Sequence, residues 1–353
     1  MPNLDSSIKI RNFTVKNRVV LAPLVIFDLH KDGHVNDNVV KHYESFAKGG
    51  CGILVQEATC VLPEGRLGGS QLGLWEDERI DGMKRIAERV IPYGPLLLMQ
   101  IHYASTQGEP GPVTFVGPSA YENADGIHRA LGIGEVERIR DAFVSAALRA
   151  EKAGYHGVEL HGCHGFLLCA FQNARYNRRD DRYGDPTLLT REIIKGIRQS
   201  AHKDFIITCR TGIDNPDVAA GIAACKALEA AGLDMLSASL GMGREGNLPV
   251  PEGFPFSELA WLGCEVKKNV QIPVIAVGGM NQPDNATKLI SEGWADFAAI
   301  GRGLLADPDW ANKVFSGQSV NRCYECKAGC LWGEKPERCP ARIKAAKNHQ
   351  DRS

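Results

Sequence analysis

The strongest constraint on the fold is a repeated unit: a helical pattern, a glycine and then a short apolar run. Three helical segments end at Gly154, Gly232 and Gly293, and each leads within a few residues into an apolar run. Glycine commonly ends helices because it adopts left-handed backbone without a steric penalty. The apolar runs are too continuous for half-exposed antiparallel strands, so they predict parallel strands buried on both faces. The predicted strands are Arg18–Ala22, Gly52–Glu57, Leu96–Ile101, Gly157–Leu160, Phe205–Arg210, Met235–Ala238, Val274–Val277 and Phe297–Ile300.

Strands that alternate with amphipathic helices predict an α/β fold, and eight of them favour a closed (β/α)8 TIM barrel. The clearest helix is predicted over Glu135–Ala153, where apolar residues recur three and four positions apart. Ser7–Val15 alternates polar and apolar residues, which predicts an N-terminal hairpin that plugs the barrel. The alternative is an open doubly wound sheet. It is disfavoured because no Gly-x-Gly-x-x-Gly sequence opens the first βα turn.

Length and charge exclude several classes of protein. The chain has 353 residues, enough for one large or two medium domains. Its 41 basic and 42 acidic residues leave a net charge of −1, so no chain-wide attraction to nucleic acid or anionic lipid is expected. The longest apolar stretches, such as Val19–Phe27, are much shorter than the roughly 20 residues of a membrane helix. No secretory signal is visible at the N-terminus, and we therefore predict a cytoplasmic protein.

Eleven cysteines are unevenly distributed. Seven are scattered singly in mostly apolar segments and are typical of small buried residues in a reducing compartment. The other four crowd together near the C-terminus, and iron–sulfur clusters and structural zinc both take four thiolates. Spacing alone does not separate these two metals. We expect a barrel domain over residues 1–318 and a Cys-rich extension over residues 319–353 that carries Cys323, Cys326, Cys330 and Cys339.

In a barrel, active-site residues lie where strands end. Five consecutive predicted strands end beside hydrogen-bonding side chains, a pattern that favours a bound ligand over isolated loop residues. His161 and His164 have a spacing that also occurs at metal sites, but no carboxylate or third histidine stands in their loop. Hydrogen bonding to a carbonyl or anionic oxygen is the favoured interpretation. Arg210 would place a fixed positive charge at the barrel mouth, facing either a salt-bridge partner or an anionic ligand.

The last two strands predict a phosphate site. Glycines after them let a phosphate approach backbone N–H groups closely, and an arginine adds charge. A phosphate site after strands seven and eight recurs among barrels. The residues concerned are Gly278, Gly279, Gly301 and Arg302.

Ordered motifs along the chain resemble a known family. They are Lys16–Val19 with Ala22-Pro23, Glu57–Thr59 with Pro63–Arg66, Gln100–His102, Ala153–Gly165, Asn177–Gly184, Val277–Gly279 and Gly301–Pro308. Together these motifs resemble the old yellow enzyme family of FMN-dependent (β/α)8 oxidoreductases, over about residues 5–340. The likeness is greatest to its iron–sulfur branch, which includes 2,4-dienoyl-CoA reductase and trimethylamine dehydrogenase.

This resemblance implies roles for individual residues. The loop residues Pro23, Leu24 and Val25 would bind FMN, while Ala58 and Gln100 would touch the flavin ring. Arg210 would face the flavin N1–C2=O edge, and the glycines with Arg302 would hold the phosphate. His161 and His164 would bind the substrate carbonyl oxygen. The terminal cysteines would hold a [4Fe-4S] cluster that feeds electrons to the flavin.

The sequence departs from the family pattern at several positions. Phe166 stands where reductases of the family usually carry a proton-donating tyrosine, so Tyr103, His30, Cys163 or water would have to act instead. Val25 replaces a flavin-facing threonine or cysteine, and the last cysteine gap is shorter than in the iron–sulfur branch. Members of that branch continue into an FAD- and NAD(P)-binding region, and no dinucleotide fingerprint occurs in this sequence. Electrons are therefore expected from a redox partner protein or directly from NAD(P)H, or the sequence is a fragment of a longer protein.

The leading expectation is an FMN enzyme, in a homo-oligomer, that reduces an activated C=C bond in a small enone or enoyl thioester. A second hypothesis is an FMN isomerase or dehydrogenase that uses the Phe166 pocket. A third hypothesis is an electron-transfer flavoprotein subunit. The histidine pair disfavours it, because a protein that only transfers electrons does not need two side chains that bind a carbonyl oxygen. A sugar-phosphate barrel enzyme with terminal zinc remains a fourth.

Overall fold

The computed structural model describes residues 2–26, 32–107, 114–123, 126–242, 247–326, 330, 332 and 338–350. Eight parallel strands close into a barrel, which confirms the predicted fold. All eight predicted strands are present, and several extend by one to three residues at their C-terminal ends. In barrel order they are β3 (Val19–Leu21), β4 (Ile53–Cys60), β5 (Leu96–His102), β10 (Gly157–Gly162), β11 (Ile206–Gly212), β12 (Met235–Ser239), β13 (Val274–Val277) and β14 (Phe297–Ile300).

The predicted N-terminal hairpin consists of two antiparallel strands, β1 (Ile8–Ile10) and β2 (Phe13–Val15). Ile10 and Val15 pack in one apolar cluster with residues inside the barrel, among them Leu96 and Ile206 at the starts of their strands. The hairpin therefore closes the amino-terminal end of the barrel, as the sequence predicts.

Helices surround the barrel and bury apolar residues against the outward side chains of its strands. The helix predicted over Glu135–Ala153 is α3 (Ile133–Lys152), and Val136, Ile139 and Phe143 on it are fully buried. The other helices are α1 (Asp37–Lys48), α2 (Ile80–Val90), α4 (Leu167–Gln172), α5 (Leu188–Ser200), α6 (Val218–Ala230), α7 (Glu258–Lys267), α8 (Pro283–Ser291), α9 (Arg302–Ala306), α10 (Trp310–Phe315) and α11 (Pro340–Gln350). No helix among the described residues combines the length and apolar character needed to cross a membrane.

A small four-stranded sheet, which the sequence analysis does not predict, is inserted between β5 and α3. Its strands are β6 (Thr106–Gln107), β7 (Thr114–Gly117), β8 (Tyr121–Asn123) and β9 (Gly126–Ala130), and they are hydrogen-bonded in the order β6, β7, β9, β8. Because the insertion follows the C-terminal end of a barrel strand, it lies on the side where barrel enzymes bind ligands.

Candidate active site

A cavity of about 390 Å³ opens at the C-terminal ends of β3, β13 and β14. This volume lies in the range of small-molecule binding sites. Eight of the ten residues predicted to bind the cofactor line it: Pro23, Leu24, Val25, Arg210, Gly278, Gly279, Gly301 and Arg302. The other two, Ala58 and Gln100, are 2% exposed and do not line this cavity.

The loop after β13 has a backbone that requires glycine. Gly278 and Gly279 have φ angles of +110° and +73°, which side-chain-bearing residues rarely adopt. A Cβ atom on Gly278 would lie 2.6 Å from the Ser257 hydroxyl oxygen. The bare backbone therefore borders the cavity directly, and Arg302 lies at the start of α9 on the same wall. This combination fits an anionic group such as a phosphate.

Arg210 points from β11 into the barrel mouth and is 8% exposed. Its Nη2 donates to the Ser239 hydroxyl at 3.2 Å, while its buried Nε has no hydrogen-bond partner in the described part of the chain. A buried cationic donor without a partner is costly unless a ligand supplies the acceptor. Arg210 thus fits a partly anionic ring bound in the cavity that it lines.

Gln100 and Glu159 pair across β5 and β10 beneath the mouth. The Gln100 Nε2 donates to Glu159 Oε1 at 2.8 Å. Burial raises the pKa of Glu159 to about 7, although the Arg210 charge and this hydrogen bond oppose the shift. Gln100 is therefore held in a fixed orientation by a buried acid that titrates near neutral pH.

Three histidine rings form a chain of short contacts at the ends of β5 and β10. His102 Nδ1 and His161 Nδ1 are 3.0 Å apart, and His161 Nε2 lies 3.4 Å from His164 Nδ1. The chain ends where His164 Nε2 meets the Ser239 hydroxyl at 2.8 Å. Ser239 also accepts from Arg210, so the histidines and the cavity share one polar network.

Desolvation by the surrounding protein favours the neutral form of the three histidines, although His164 is partly open to the mouth. It lowers the pKa of His102 to about 3 and that of His164 to about 4, with a smaller effect of nearby positive charge. The pKa of His161 is also lowered well below its ordinary value, first by burial and then by the neighbouring histidines and Arg210. Each neutral ring carries one N–H and one acceptor nitrogen, so the pair His161 and His164 can present hydrogen-bond donors at neutral pH.

Phe166 lies directly against this chain. Its ring is edge-on to the rings of His102 and His161, with centroids 4.5 and 4.7 Å apart. The position expected to hold a proton donor is therefore occupied by a hydrocarbon ring in contact with the histidines.

The alternative proton donors are placed differently. Tyr103 follows the last residue of β5, and its ring packs against Gly65 in the outer apolar core. Cys163 is fully buried, and burial raises the pKa of its thiol to about 12. His30 lies outside the described residues. Of the three side chains proposed as catalytic, the structure thus brings His161 and His164 together and places Tyr103 in the outer apolar core.

Comparison with known proteins decides the family. The model of the NADH:flavin oxidoreductase / NADH oxidase family matches residues 4–321. The chain belongs to this family. It is an FMN-dependent oxidoreductase of the old yellow enzyme type, and its barrel is the fold of that family.

Relatives of this flavin oxidoreductase differ in length. The chain is 36% identical to an NADH oxidase of Thermoanaerobacter brockii over 94% of its own length, but it spans only 54% of that protein. It is 29% identical to an NADPH dehydrogenase of Clostridium acetobutylicum and spans 90% of it. Among solved structures, a 2-naphthoyl-CoA reductase in complex with 2-naphthoyl-CoA superposes with a TM-score of 0.82 at 26% identity. That alignment covers 95% of this chain and 58% of the reductase.

The C-terminal cysteines of this flavin oxidoreductase are gathered in one place. Cys323, Cys326, Cys330 and Cys339 line a second small pocket. This pocket adjoins the larger cavity, because Cys330, Trp332 and Arg302 line both. The four thiols that are close together in the sequence are therefore also close together in space. They lie next to Arg302, which is predicted to bind phosphate.

Two site residues were missing from the sequence-based set: His102 and Ser239. The period of a β-strand gives the signal that could have found them. His102 shares a face with Gln100 on β5, and Ser239 shares a face with Ser237 on β12. The same period places Tyr103 on the opposite side from His102.

Proposed function

We propose that this oxidoreductase reduces an activated C=C bond, in an enone or an enoyl thioester, with FMN bound in the 390 Å³ cavity. The observation that carries the proposal is the polar connection between this cavity and the histidine pair. Arg210 lines the cavity and contacts Ser239, which contacts His164. A ligand in the cavity and a substrate oxygen at the histidines would therefore lie side by side.

The residues of the cavity suit FMN. Gly278, Gly279, Gly301 and Arg302 would hold the phosphate, and Arg210 would meet the edge of the ring that gains negative charge on reduction. Bound FMN would supply the hydride that the β-carbon of the alkene receives. Pro23, Leu24 and Val25 form the apolar wall against the ring. Ala58 and Gln100 do not line this cavity and remain in the proposal as residues that would touch the flavin ring.

His161 and His164 would bind the carbonyl oxygen of the substrate. For both to donate, His161 needs its proton on Nε2 and His164 on Nδ1, so that the two N–H groups converge from 3.4 Å apart. His102 Nδ1–H can then donate to His161 Nδ1, and the Ser239 hydroxyl can donate to His164 Nε2. These donors withdraw electrons from the conjugated system and make its β-carbon a better hydride acceptor. The α-carbon takes its proton from Tyr103, from Cys163 or from water.

Electrons would enter in one of two ways. The four terminal cysteines fit a [4Fe-4S] cluster, since their side chains line a single pocket. Cys330 and Trp332 border this pocket and the FMN cavity, which gives electrons a short protein path between the two. The source would be a redox partner protein. Direct reduction by NAD(P)H is the simpler alternative.

The anaerobic absorption spectrum, with assays for iron, sulfide and zinc, tests this function. We expect oxidised-flavin bands that bleach with NAD(P)H or dithionite and return when an enone is added. About four irons and four sulfides per chain would support the cluster, whereas zinc in their place would exclude it. A colourless protein that binds phosphate alone would overturn the whole proposal.

Replacing Cys326 by serine should remove the iron and leave the flavin. A serine hydroxyl is a poor substitute for a thiolate ligand, so we expect iron and sulfide to fall from about four each to near zero. Cys264→Ala is the matched control, because Cys264 is buried on α7 away from the pocket. Equal iron content in Cys326→Ser and the control would contradict the ligand assignment.

Replacing Phe166 by tyrosine tests the proton-donor position. The Phe166 ring touches His102 and His161, so a hydroxyl on it would reach the substrate region. If protonation of the α-carbon limits the rate, reduction of a simple enone should accelerate at least about tenfold. Phe171→Tyr, in the buried α4, serves as a control for the added hydroxyl. An unchanged rate would mean that position 166 is not the missing acid position.

The same contact favours a second candidate function. A hydrocarbon ring at position 166 suits an FMN isomerase or dehydrogenase, which needs no external proton donor. Conversion of an unsaturated substrate without net consumption of NAD(P)H would distinguish this function from reduction. A cytoplasmic location and assembly of identical chains are part of the proposal.

A further inference from the structure

Three potential metal ligands converge at the carboxyl end of β10. One ring nitrogen each of His161 and His164 and the Sγ atom of Cys163 all lie within 4.8 Å of one another. Imidazole and thiolate are the ligands that zinc prefers, and sites with three protein ligands leave a fourth position open. The sequence pattern His-x-x-His lacked a third ligand, and the structure supplies it from the residue between the two histidines.

The spacing of the two histidines suits one ion. His161 Nε2 and His164 Nδ1 are 3.4 Å apart. Two nitrogens bound to a tetrahedral zinc through bonds of about 2.0–2.1 Å lie about 3.3–3.4 Å from each other. The two rings therefore need little movement to share an ion.

Each histidine also has the outer partner that a metal ligand requires. Metal-bound histidines almost always donate their other ring N–H to a fixed acceptor. His161 has its Nδ1 at 3.0 Å from His102 Nδ1, and His164 has its Nε2 at 2.8 Å from the Ser239 hydroxyl. Both His102 Nδ1 and the Ser239 hydroxyl can accept such a hydrogen bond. The two nitrogens that face each other, His161 Nε2 and His164 Nδ1, can then be unprotonated and bind the metal.

His102 and Ser239 can also donate hydrogen bonds, so the protonation of the two facing nitrogens can be reversed. When His102 and Ser239 donate, the facing nitrogens of the pair carry protons and can bind a carbonyl oxygen. When His102 and Ser239 accept, those nitrogens are bare and can bind a cation. A metal and a carbonyl substrate would thus use the same two atoms in opposite protonation patterns.

Access and charge are compatible with a bound ion. His164 is exposed, whereas His161 and Cys163 are buried, so an ion can enter from the mouth and be held from within. Arg210 lies close by and repels a cation. Zinc binding releases the proton of the Cys163 thiol to water at the mouth, and the negative charge of the coordinated thiolate offsets that repulsion.

We propose that His161, Cys163 and His164 form a Zn²⁺ site that competes with the carbonyl substrate and so inhibits the enzyme. The fourth zinc ligand is water from the mouth. Zinc binding itself does not require FMN, whereas its effect on turnover rests on the proposed role of His161 and His164 in binding the substrate.

Equilibrium dialysis of the purified holoprotein against Zn²⁺ tests the proposal. We expect Cys163→Ala to weaken this zinc site at least about tenfold, while Cys169→Ala, a buried thiol outside the cluster, leaves it unchanged. Zinc bound by the terminal cysteines is identified as the fraction of bound zinc that is lost in Cys326→Ser. As a spectroscopic measurement, Co²⁺ added to Cys326→Ser should produce a thiolate charge-transfer band that is lost when Cys163→Ala is combined with Cys326→Ser, which separates it from a band of the three remaining terminal thiols. In an enone reduction assay, Zn²⁺ should raise KM and leave kcat unchanged.

Two results would overturn the proposal. One is zinc that binds only where Cys326 is intact and is unaffected by Cys163→Ala. The other is a Cys326→Ser protein in which Co²⁺ gives no thiolate band. A flavin-free protein that still binds zinc in the Cys163-dependent manner would contradict the reductase proposal and support the metal site.

Discussion

Replacing His161 by alanine is expected to lower kcat/KM for reduction of a simple enone by about 10²–10³-fold, the usual cost of removing one donor from an oxyanion-binding site. The ring is 6% exposed and lies between His102 and His164. Its loss removes one of the two groups that polarise the carbonyl and leaves the His102 ring without its partner. FMN content should not change, because His161 does not line the cofactor cavity.

His156→Ala is the matched control for this prediction. His156 precedes the same strand at its opposite end, where its Nδ1 accepts from the Leu97 N–H. Its replacement should lower stability without a comparable effect on turnover. His164→Asn keeps an N–H donor and should lose less activity than His164→Ala. If His161→Ala instead releases the flavin at unchanged turnover per bound flavin, the histidine pair does not serve the substrate.

The barrel could be predicted because its strands carry their own signal. Runs such as Val274–Val277 and Phe297–Ile300 are apolar on both faces, and these two match the observed strands to the residue. The hairpin was equally visible, since its alternation follows the strand period. In contrast, the sheet of β6–β9 contains short, largely polar strands, so neither apolar continuity nor a clear period marks it.

The site could be predicted only as far as motifs and strand ends indicate it. Glycines after β13 and Arg210 at the end of a strand were found because their backbone or charge is unusual in such places. His102 and Ser239 were missed because their roles come from contacts with residues about 60 and 75 positions away in the chain. A bulge between Gln56 and Thr59 interrupts the alternation of side chains along β4. The regular alternation of a strand therefore does not predict on which face of the sheet Ala58 lies.

Replacing Arg210 by methionine should lower the midpoint potential of the bound flavin. Methionine keeps the length and apolar volume of the side chain but removes the positive charge and its donors. A hydrogen bond to a charged group is worth about 1.5–3 kcal/mol. If Arg210 makes it only to the reduced, anionic cofactor, its loss shifts a two-electron potential by about 30–65 mV to more negative values. Anaerobic titration with reference dyes measures the shift.

Arg198→Met controls for the loss of a half-buried arginine elsewhere in the barrel. Arg198 is paired with Asp234 on the outer face, so its replacement should reduce stability and leave the potential unchanged. Arg210→Lys keeps the charge but not the second donor and should give an intermediate potential. Because the potential reflects the difference between the affinities for oxidised and reduced FMN, the midpoint of Arg210→Met must fall as reduced FMN binds less tightly. An unchanged midpoint with weaker binding of both forms would mean that Arg210 serves as a general anchor and does not stabilise the reduced ring.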